Sequence, residues 1–377
     1  MKSNFFFVFV FSSFTLFSQN RKDLLVKDSL TGEAIDFATI TSKGIEQYTN
    51  ADGKFNTLIG EKICIEKPGY ISNCFLVNDN LNVVLLSPKI YNIEEVIIEK
   101  YPSILKNAFW NLEKNYSFSP YNEEFDLRVI LRKNNEINKL EDISGIYNRK
   151  LLFATNKIEY PKENFIFQIF NLRKVGIKEN KIDYEFFSLD KLLTSFASVY
   201  VDVKNFNFSR EETKTKDVSR LTFNSKKQDT KGYYYINNED FAISEFYIDS
   251  KMNNSEYKKK GNIEYRTISY TLNTFFDKNP SVGKYTISSA KLTTIVEIKM
   301  PTGNKIQYTC EYNYIGRNSF NNLKINSNVS SQKDIFELRG NYNESLFNSN
   351  KNLSLTNEMQ NFIDKARNSP KNYEVNK

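Results

Sequence analysis

The 377-residue chain contains no histidine. Ser-His-Asp and Cys-His catalytic groups therefore cannot form within it, and neither can histidine-rich zinc, copper or non-haem iron sites. Glycine is also scarce, with 13 residues, and neither a Walker A motif nor a Rossmann glycine fingerprint occurs. The sequence thus predicts no catalytic residue, no metal ligand and no cofactor, and it leaves the ligand-binding residues unknown.

Carboxylate chemistry stays open, because a glycosidase needs only two suitably placed acids. Adjacent acids occur at residues 94–95, 123–124 and 211–212. Neighbours on a strand point to opposite faces and neighbours on a helix diverge, so adjacency is poor evidence for a working pair. We interpret all three pairs as solvated surface.

The Asn-Ala-Asp-Gly segment at residues 50–53 is similar to the start of a calcium loop. The residues that follow lack the ligand spacing of an EF-hand and run directly into an apolar segment. Asn and Asp bond readily to nearby backbone, and Gly tolerates positive φ. We therefore predict a plain turn here.

Long apolar runs are absent after the N-terminus, so the sequence predicts no transmembrane span in the mature chain. At the N-terminus, Lys2 precedes a short apolar run that ends near the small residue Ser18. This pattern predicts a signal peptide over residues 1–18, cleaved before Gln19. No cysteine follows the run, so a lipid-modified cysteine is not available. We expect an exported protein of the periplasm or the outer membrane.

The formal net charge is +7, and the basic residues are scattered among nearly as many acids. This small excess of positive charge, without a basic cluster or motif, is too weak to indicate binding to nucleic acid, so we expect no nucleic-acid partner. Three consecutive lysines, residues 258–260, precede Gly261. We interpret them as a solvated turn between strands rather than as a phosphate-binding patch.

Phenylalanine and tyrosine are abundant, with 31 and 23 residues. They interleave with polar positions and with Ile and Val, as expected of half-buried antiparallel strands. Short alternating segments separated by turn residues follow one another over residues 21–88, at the spacing of a sandwich. The sequence therefore predicts a mainly β protein that begins with a β-sandwich.

Three cysteines are present, and two of them flank a turn at Gly69. A hairpin centred on Gly69 places Cys64 opposite Cys74, with Cα atoms about 4.5 to 5.5 Å apart, which a disulfide accepts. Export permits oxidation. Against the bond, free cysteine is a good small core residue and a bulge would break the register. Cys64 and Cys74 are thus a candidate disulfide, and Cys310 has no partner in either case.

The N-terminal quarter of the chain resembles the carboxypeptidase regulatory-like domain of Bacteroidota envelope proteins, including TonB-dependent receptors. The matching residues are Val26, Asp28, Thr31-Gly32, 35–40, Thr49, Asp52-Gly53, Phe55, Gly69-Tyr70, 83–85 and 94–98. The resemblance implies a transthyretin-like sandwich over residues 21–98, used as a structural or interaction module. It implies no peptidase activity, since a zinc carboxypeptidase centre uses histidine ligands.

The remainder, residues 99–367, is predicted to form a larger curved antiparallel sheet domain with a few helices. An apolar stripe at helical spacing predicts a linker helix near residues 102–114. A short helix is expected near 186–193, opened by Ser188 or Asp183. The predicted strands are 125–131, 150–154, 165–172, 219–224, 232–237, 241–249, 262–272, 285–299 and 305–314.

The C-terminal part ends with another apolar stripe at helical spacing, which predicts a helix near residues 355–367 that docks across the sheet. Thr356 or Ser354 could cap it. We predict a disordered tail at 368–377.

Residues 220–223, 231–236 and 240–249 look like a pattern found in Bacteroidota proteins whose regulatory-like domain is followed by an open, curved sheet. Residues 104–116 are similar to the linker helix of those proteins. The predicted sheet is also similar to the half-barrels of lipoprotein carriers. No binding residue is carried over from this resemblance.

Three functions follow as hypotheses. The favoured one is a non-catalytic envelope binding or scaffold protein, in which the sandwich contacts an envelope protein and the curved sheet offers an aromatic surface. The second is a periplasmic carrier of a lipid or other hydrophobic ligand, which requires an apolar and unfilled sheet face. The third is a histidine-independent carboxylate hydrolase, which requires two converging buried acids.

Overall fold

The computed structural model describes residues 21–43, 45–67, 69–89, 93–99, 102–155, 157–179, 184–213, 217–252, 255–280, 282–319, 324–345 and 354–376. The predicted signal peptide lies outside these residues. The chain divides into two compact units, Met1–Pro88 and Lys89–Lys377. Both are built mainly from β-strands, which confirms the predicted fold class.

Two sheets form the described part of the smaller unit. Its strands are β1 (Arg21–Asp28), β2 (Thr39–Ser42), β3 (Ile45–Tyr48), β4 (Lys54–Leu58), β5 (Lys62–Glu66), β6 (Asn73–Leu76) and β7 (Val83–Leu86). One sheet has the order β4-β1-β7 and the other β3-β2-β5-β6. Val26 and Leu86 from the first sheet share a buried core with Ile40 and Ile63 from the second. The unit is therefore a small two-sheet sandwich.

The turn at residues 50–53 has the predicted chemistry. The Asn50 Oδ1 atom accepts hydrogen bonds from the amides of Asp52, at 3.0 Å, and Lys54, at 2.9 Å. Gly53 has a φ of 73°, and a Cβ at this position would lie 2.7 Å from the Val26 carbonyl oxygen. Glycine is required here both by the backbone angle and by the close approach of β1.

One large antiparallel sheet dominates the second unit. Its strands are β8 (Ile93–Glu99), β9 (Tyr121–Lys133), β10 (Glu136–Arg149), β11 (Phe165–Ile177), β12 (Phe206–Thr213), β13 (Val218–Ser225), β14 (Asp229–Asn237), β15 (Ile243–Lys251), β16 (Lys258–Lys260), β17 (Ile263–Asn279), β18 (Lys284–Lys299), β19 (Lys305–Ser319) and β20 (Tyr373–Val375). The order is β20-β11-β10-β9-β19-β18-β17-β15-β14-β13-β12-β8, and β16 pairs with β17. Strands distant in sequence, such as β9 and β19, are therefore neighbours.

Helices lie against both faces of this sheet. They are α1 (Ser103–Trp110), α2 (Leu112–Asn115), α3 (Leu189–Phe196) and α4 (Asn357–Asn368). The first three join the main core, to which β9 contributes Leu127 and Val129. The alternate residue Ile130 points to the other face and packs in the smaller core of α4, with Ile363. None of the helices among the described residues is long and apolar enough to cross a membrane.

The predicted helix caps are present at two positions. The Ser188 Oγ atom accepts from the Lys191 amide at 3.3 Å, and the Thr356 Oγ1 atom accepts from the Met359 amide at 3.2 Å. The alternative cap Asp183 lies outside the described residues. Each hydroxyl satisfies one of the amides that a helix start leaves without an intrahelical partner.

Several predicted boundaries need correction. β8 pairs with β12 in the large sheet, so it belongs to the larger unit. The boundary along the chain falls after Pro88 rather than after residue 98. The predicted disordered tail contains β20, which pairs with β11. The lysine run 258–260 is itself strand β16, and Gly261 begins the turn.

The sequence predicts a strand at residues 150–154, but the structure has none there. Leu152 and Phe153 are buried in the main core. The Leu151 amide donates to the Asn164 Oδ1 atom at 2.9 Å instead of to a neighbouring strand. The apolar run therefore reflects burial of its side chains without a β-ladder.

Candidate functional site

A cavity of about 800 Å³ opens in the larger unit where β10 begins and β9 and β11 end. Helix α3, strand β16 and the segment 332–337 complete its wall. A second cavity of about 480 Å³ shares Lys333, Glu337 and Glu374 with the first, so the two adjoin. We call the larger cavity the cleft.

The cleft has an aromatic part. Phe186 packs edge-on against Phe336, with ring centroids 5.3 Å apart, and against Tyr184, at 4.9 Å. Tyr308 lies 6.2 Å from Phe186 in the same arrangement. Burial raises the pKa of Tyr184 and of Tyr308 to about 12. Both hydroxyls are therefore protonated at neutral pH.

Asp334 fixes the wall of the cleft. Its Oδ2 atom accepts from the Phe186 amide at 2.6 Å, and its Oδ1 atom accepts from the Phe336 amide at 2.8 Å. The Lys174 ammonium donates to the Phe336 carbonyl oxygen. One carboxylate thus joins the two segments that present the aromatic rings.

Charges of both signs surround the aromatic part. The lysines are Lys139, Lys191, Lys260 and Lys333, and the acids are Glu179, Glu185, Asp334, Glu337 and Glu374. Lys260 pairs with Glu185 at 2.8 Å, and the Lys139 ammonium lies 5.3 Å from the centroid of the Phe336 ring. The lining therefore combines apolar rings with nearly balanced charge, which suits a ligand with both apolar and polar groups.

Glu141 on β10 is fully buried beside the cleft but lines neither cavity. Its Oε1 atom lies 3.2 Å from the Lys174 ammonium. Burial raises the pKa of this carboxyl to about 7, although Lys174 opposes the shift. Asp334 adds a small further increase through its negative charge. Glu141 therefore keeps its proton to a higher pH than an exposed glutamate does.

A second buried polar group occupies the far ends of the same strands. Arg149 donates from Nη2 to the Tyr147 hydroxyl at 3.3 Å, and the Tyr147 and Tyr314 hydroxyls are 2.8 Å apart. Tyr314 donates to the Glu123 Oε1 atom at 2.6 Å. Two tyrosine hydroxyls thus link the guanidinium to the carboxylate. Gly316 leaves the room that Glu123 needs, because a Cβ there would overlap its carboxylate.

The three acid pairs noted in the sequence differ in their surroundings. Glu123 is fully buried, which corrects its interpretation as solvated surface, whereas Glu124 is exposed. The difference arises because alternate residues of β9 face opposite sides. Glu211 is partly buried and pairs with Arg220 at 3.3 Å. The side chains at 94, 95 and 212 lie outside the described residues.

The candidate cysteine pair lies in the smaller unit. β5 and β6 have the register derived from the sequence, with Cys64 opposite Cys74 and Ile65 opposite Asn73. The two cysteine Cα atoms are 4.0 Å apart and the sulfurs are bonded at 2.05 Å. Cys310 is buried in the larger unit as a free thiol.

Residues that carry the family resemblance contact one another in the smaller unit. The Tyr70 hydroxyl donates to the Asp28 carboxylate at 2.9 Å, and the amide of Thr31 donates to the other oxygen at 3.0 Å. The Thr31 amide lowers the pKa of Asp28. Thr49 accepts from the Ala38 amide at 2.8 Å. These side chains satisfy backbone groups where the chain turns, which explains the residue types at these positions.

The cleft had no signal in the sequence. Its residues come from separated segments of the chain, and the sequence predicts only local roles for two of them, the lysine run 258–260 as a turn and Ser188 as a helix cap. Among the described residues, no group of three or more cysteine, aspartate or glutamate side chains could hold a metal ion. The cleft is therefore a candidate binding site without a recognisable motif.

No family model and no curated protein matches this chain. The resemblance to the carboxypeptidase regulatory-like domain thus stays a prediction. Among solved structures, the chain is similar to the LolA superfamily protein NE2245 from Nitrosomonas europaea, with 9% identity over 58% of this chain and 93% of that one. The TM-score is 0.19, which is too low to support a common function.

Proposed function

We propose that this chain is an exported, non-catalytic binding protein of the cell envelope. The cleft holds part of a ligand, and the smaller unit, a regulatory-like sandwich, serves as an interaction module. The observation that carries the proposal is how the larger sheet is packed. One buried core fills the face covered by α1, α2 and α3, so we assign ligand contacts to the cleft at the strand ends.

The filled face favours binding over carriage of a lipid. A carrier needs an apolar space large enough to enclose acyl chains. Phe196 of α3 instead packs against Tyr314 of β19, with ring centroids 5.4 Å apart, and the Tyr116 hydroxyl bonds the Ile243 carbonyl oxygen at 2.6 Å. Ring contacts of this kind occupy the space between the helices and the sheet.

The arrangement of acids favours a non-catalytic role. Among the acids near the cleft, Glu141 and Asp334 interact electrostatically, and burial raises the pKa of both carboxyls. Both Asp334 oxygens accept bonds from backbone amides, so this carboxylate is committed to the wall. Glu141 is sealed from the cavity and held by Lys174. Asp334 lines the cleft but has both oxygens occupied, and Glu141 has no access to it, so neither is placed for general acid or base catalysis.

Photo-crosslinking in intact cells tests the cleft. The photoreactive residue p-benzoylphenylalanine replaces Lys333, which lines both cavities. The matched control replaces Lys231, an exposed lysine of β14 that lines neither. We expect one protein adduct from position 333 that is absent from position 231. Adding Lys191→Glu, on the cleft wall, should lower its yield.

Two other outcomes would contradict this proposal. Adducts to lipid at position 333 would support the lipid-carrier hypothesis. Equal adduct yields at positions 333 and 231 would show that the cleft is not a specific binding site. Export is tested separately by the intact mass of the envelope protein, which should begin at Gln19. Retention of Met1, or recovery of the chain from cytosol, would contradict export.

A further inference from the structure

Strand β7 of the smaller unit is an edge strand with an apolar exposed side. It is the last strand of its sheet and pairs in parallel with β1. Val84 and Leu86 are buried in the core, whereas Val83 and Leu85 are 42% and 54% exposed. Proteins commonly protect such edges with charges, proline or a bulge. Within β7, none of these devices occurs.

The free backbone groups of β7 belong to the same two residues. The Leu25 amide donates to Asn82, and the Ser29 amide donates to Leu86, so even-numbered residues face β1. In a parallel ladder the alternate residues face the other way. Val83 and Leu85 therefore turn both their N–H and C=O groups toward the open edge. Within the described residues these groups have no backbone partner at that edge, and further along the chain the Ser87 carbonyl accepts from the Ile71 amide.

The face that carries these side chains is basic. By register, Lys27 lies beside Leu85, and Leu25 lies between Val83 and Lys54. The acid of the same face, Asp23, is engaged by the Asn56 amide group at 2.7 Å. Two lysines thus flank the apolar pair, and a partner would gain by bringing carboxylates to them.

We propose that the β7 edge binds an extended acidic segment of a partner protein, which adds a strand to the β4-β1-β7 sheet. Backbone hydrogen bonds to Val83 and Leu85 supply the pairing, and alternate apolar side chains of the segment cover the exposed aliphatic groups. Acidic side chains at other positions of that same face meet Lys27 on β1, and Lys54, one strand further from the edge, adds longer-range attraction. The inference rests on the proposed role of the smaller unit as an interaction module, and it names the surface and the partner chemistry.

Amide hydrogen exchange of the full mature chain tests the pairing. The probe is a short synthetic peptide with the repeat Val-Thr-Glu-Thr, which places valine and glutamate on the same face of a strand, and the control peptide has lysine in place of glutamate. We expect the acidic peptide to slow exchange at Val83 and Leu85 by about tenfold or more. The double variant Lys27→Glu with Lys54→Glu should abolish this protection.

Matched variants keep the result interpretable. Reversing two exposed lysines of the larger unit, Lys231→Glu with Lys251→Glu, should leave the protection intact. Thermal melts establish that each variant is folded, and Leu85→Lys provides a second test if the double variant is not. Equal protection by both peptides, or none, overturns the proposal. Protection that rises with protein concentration alone would assign the edge to a second copy and also overturn it.

Crosslinking separates this inference from the proposed function. In cells, p-benzoylphenylalanine at Leu85 should give an adduct that maps to an acidic segment. An adduct only from Leu30, exposed elsewhere in the smaller unit, would refute the β7 edge and leave the interaction module standing. Adducts from neither position would remove the interaction module itself.

Discussion

Replacing Glu141 with glutamine should remove a large part of the pH dependence of stability in the larger unit. Burial raises the pKa of this carboxyl to about 7 in the folded chain, against an ordinary value of 4.5. Between these pH values the folded chain keeps a proton that the unfolded chain releases. The free energy of unfolding therefore falls as pH rises from about 4.5 to about 7, and levels off above.

The magnitude follows from the difference between the two pKa values. At about 1.4 kcal/mol for each pKa unit, the full difference corresponds to about 3 kcal/mol, and the wild-type chain should lose about 2 to 3 kcal/mol of it between pH 5 and pH 8. Glu141→Gln carries no titrating group and should lose none of it. Lys174 keeps its bond to the Phe336 carbonyl oxygen in the variant, so the wall of the cleft is retained.

The chain has two units that can unfold separately, so the assay must follow the stability of β10 itself rather than that of the whole chain. Urea unfolding at pH 5 and pH 8, followed by pulsed hydrogen exchange and mass spectrometry of peptides from 136–149, gives that resolution. Glu136→Gln, an exposed position of the same strand, is the matched control and should keep the wild-type pH response. The reasoning is refuted if Glu141→Gln and wild type lose equal stability between the two pH values.

Two further predictions concern the smaller unit and the boundary. Thiol counting on denatured, unreduced protein should find one free thiol, that of Cys310; three would eliminate the bond between Cys64 and Cys74. A fragment of residues 89–377 should melt cooperatively by circular dichroism, whereas 99–377, which lacks nearly all of β8, should melt at lower temperature because β12 loses one of its two neighbours. Equal melting temperatures would show that β8 contributes little to the larger sheet.

Local patterns in the sequence identified many elements but missed the strand that carries Glu141. β10 has polar and charged residues on both faces, so its alternation is masked. Its charges are matched by other strands: Asp142 accepts from Arg128 of β9 at 2.6 Å, and Arg173 of β11 binds the same carboxylate. Because ion pairs with other strands bury these charges, β10 lacks the apolar alternation by which β9 was predicted.

The sequence by itself determined what depends on neighbouring residues. The period-2 alternation, the turn at 50–53, the caps at Ser188 and Thr356 and the register of Cys64 with Cys74 all follow from contacts within a short stretch of chain. The absence of histidine likewise excluded whole classes of site without any structure.

Tertiary structure alone decided which strands are neighbours and where the cleft lies. β9 pairs with β19, and β11 pairs with β20, across sequence separations that no local pattern records. The burial of Glu123 and Glu141 has the same origin. Burial of a carboxylate is costly unless a polar or charged group binds it. Here those groups lie on other strands, so the burial depends on the fold and not on the local sequence.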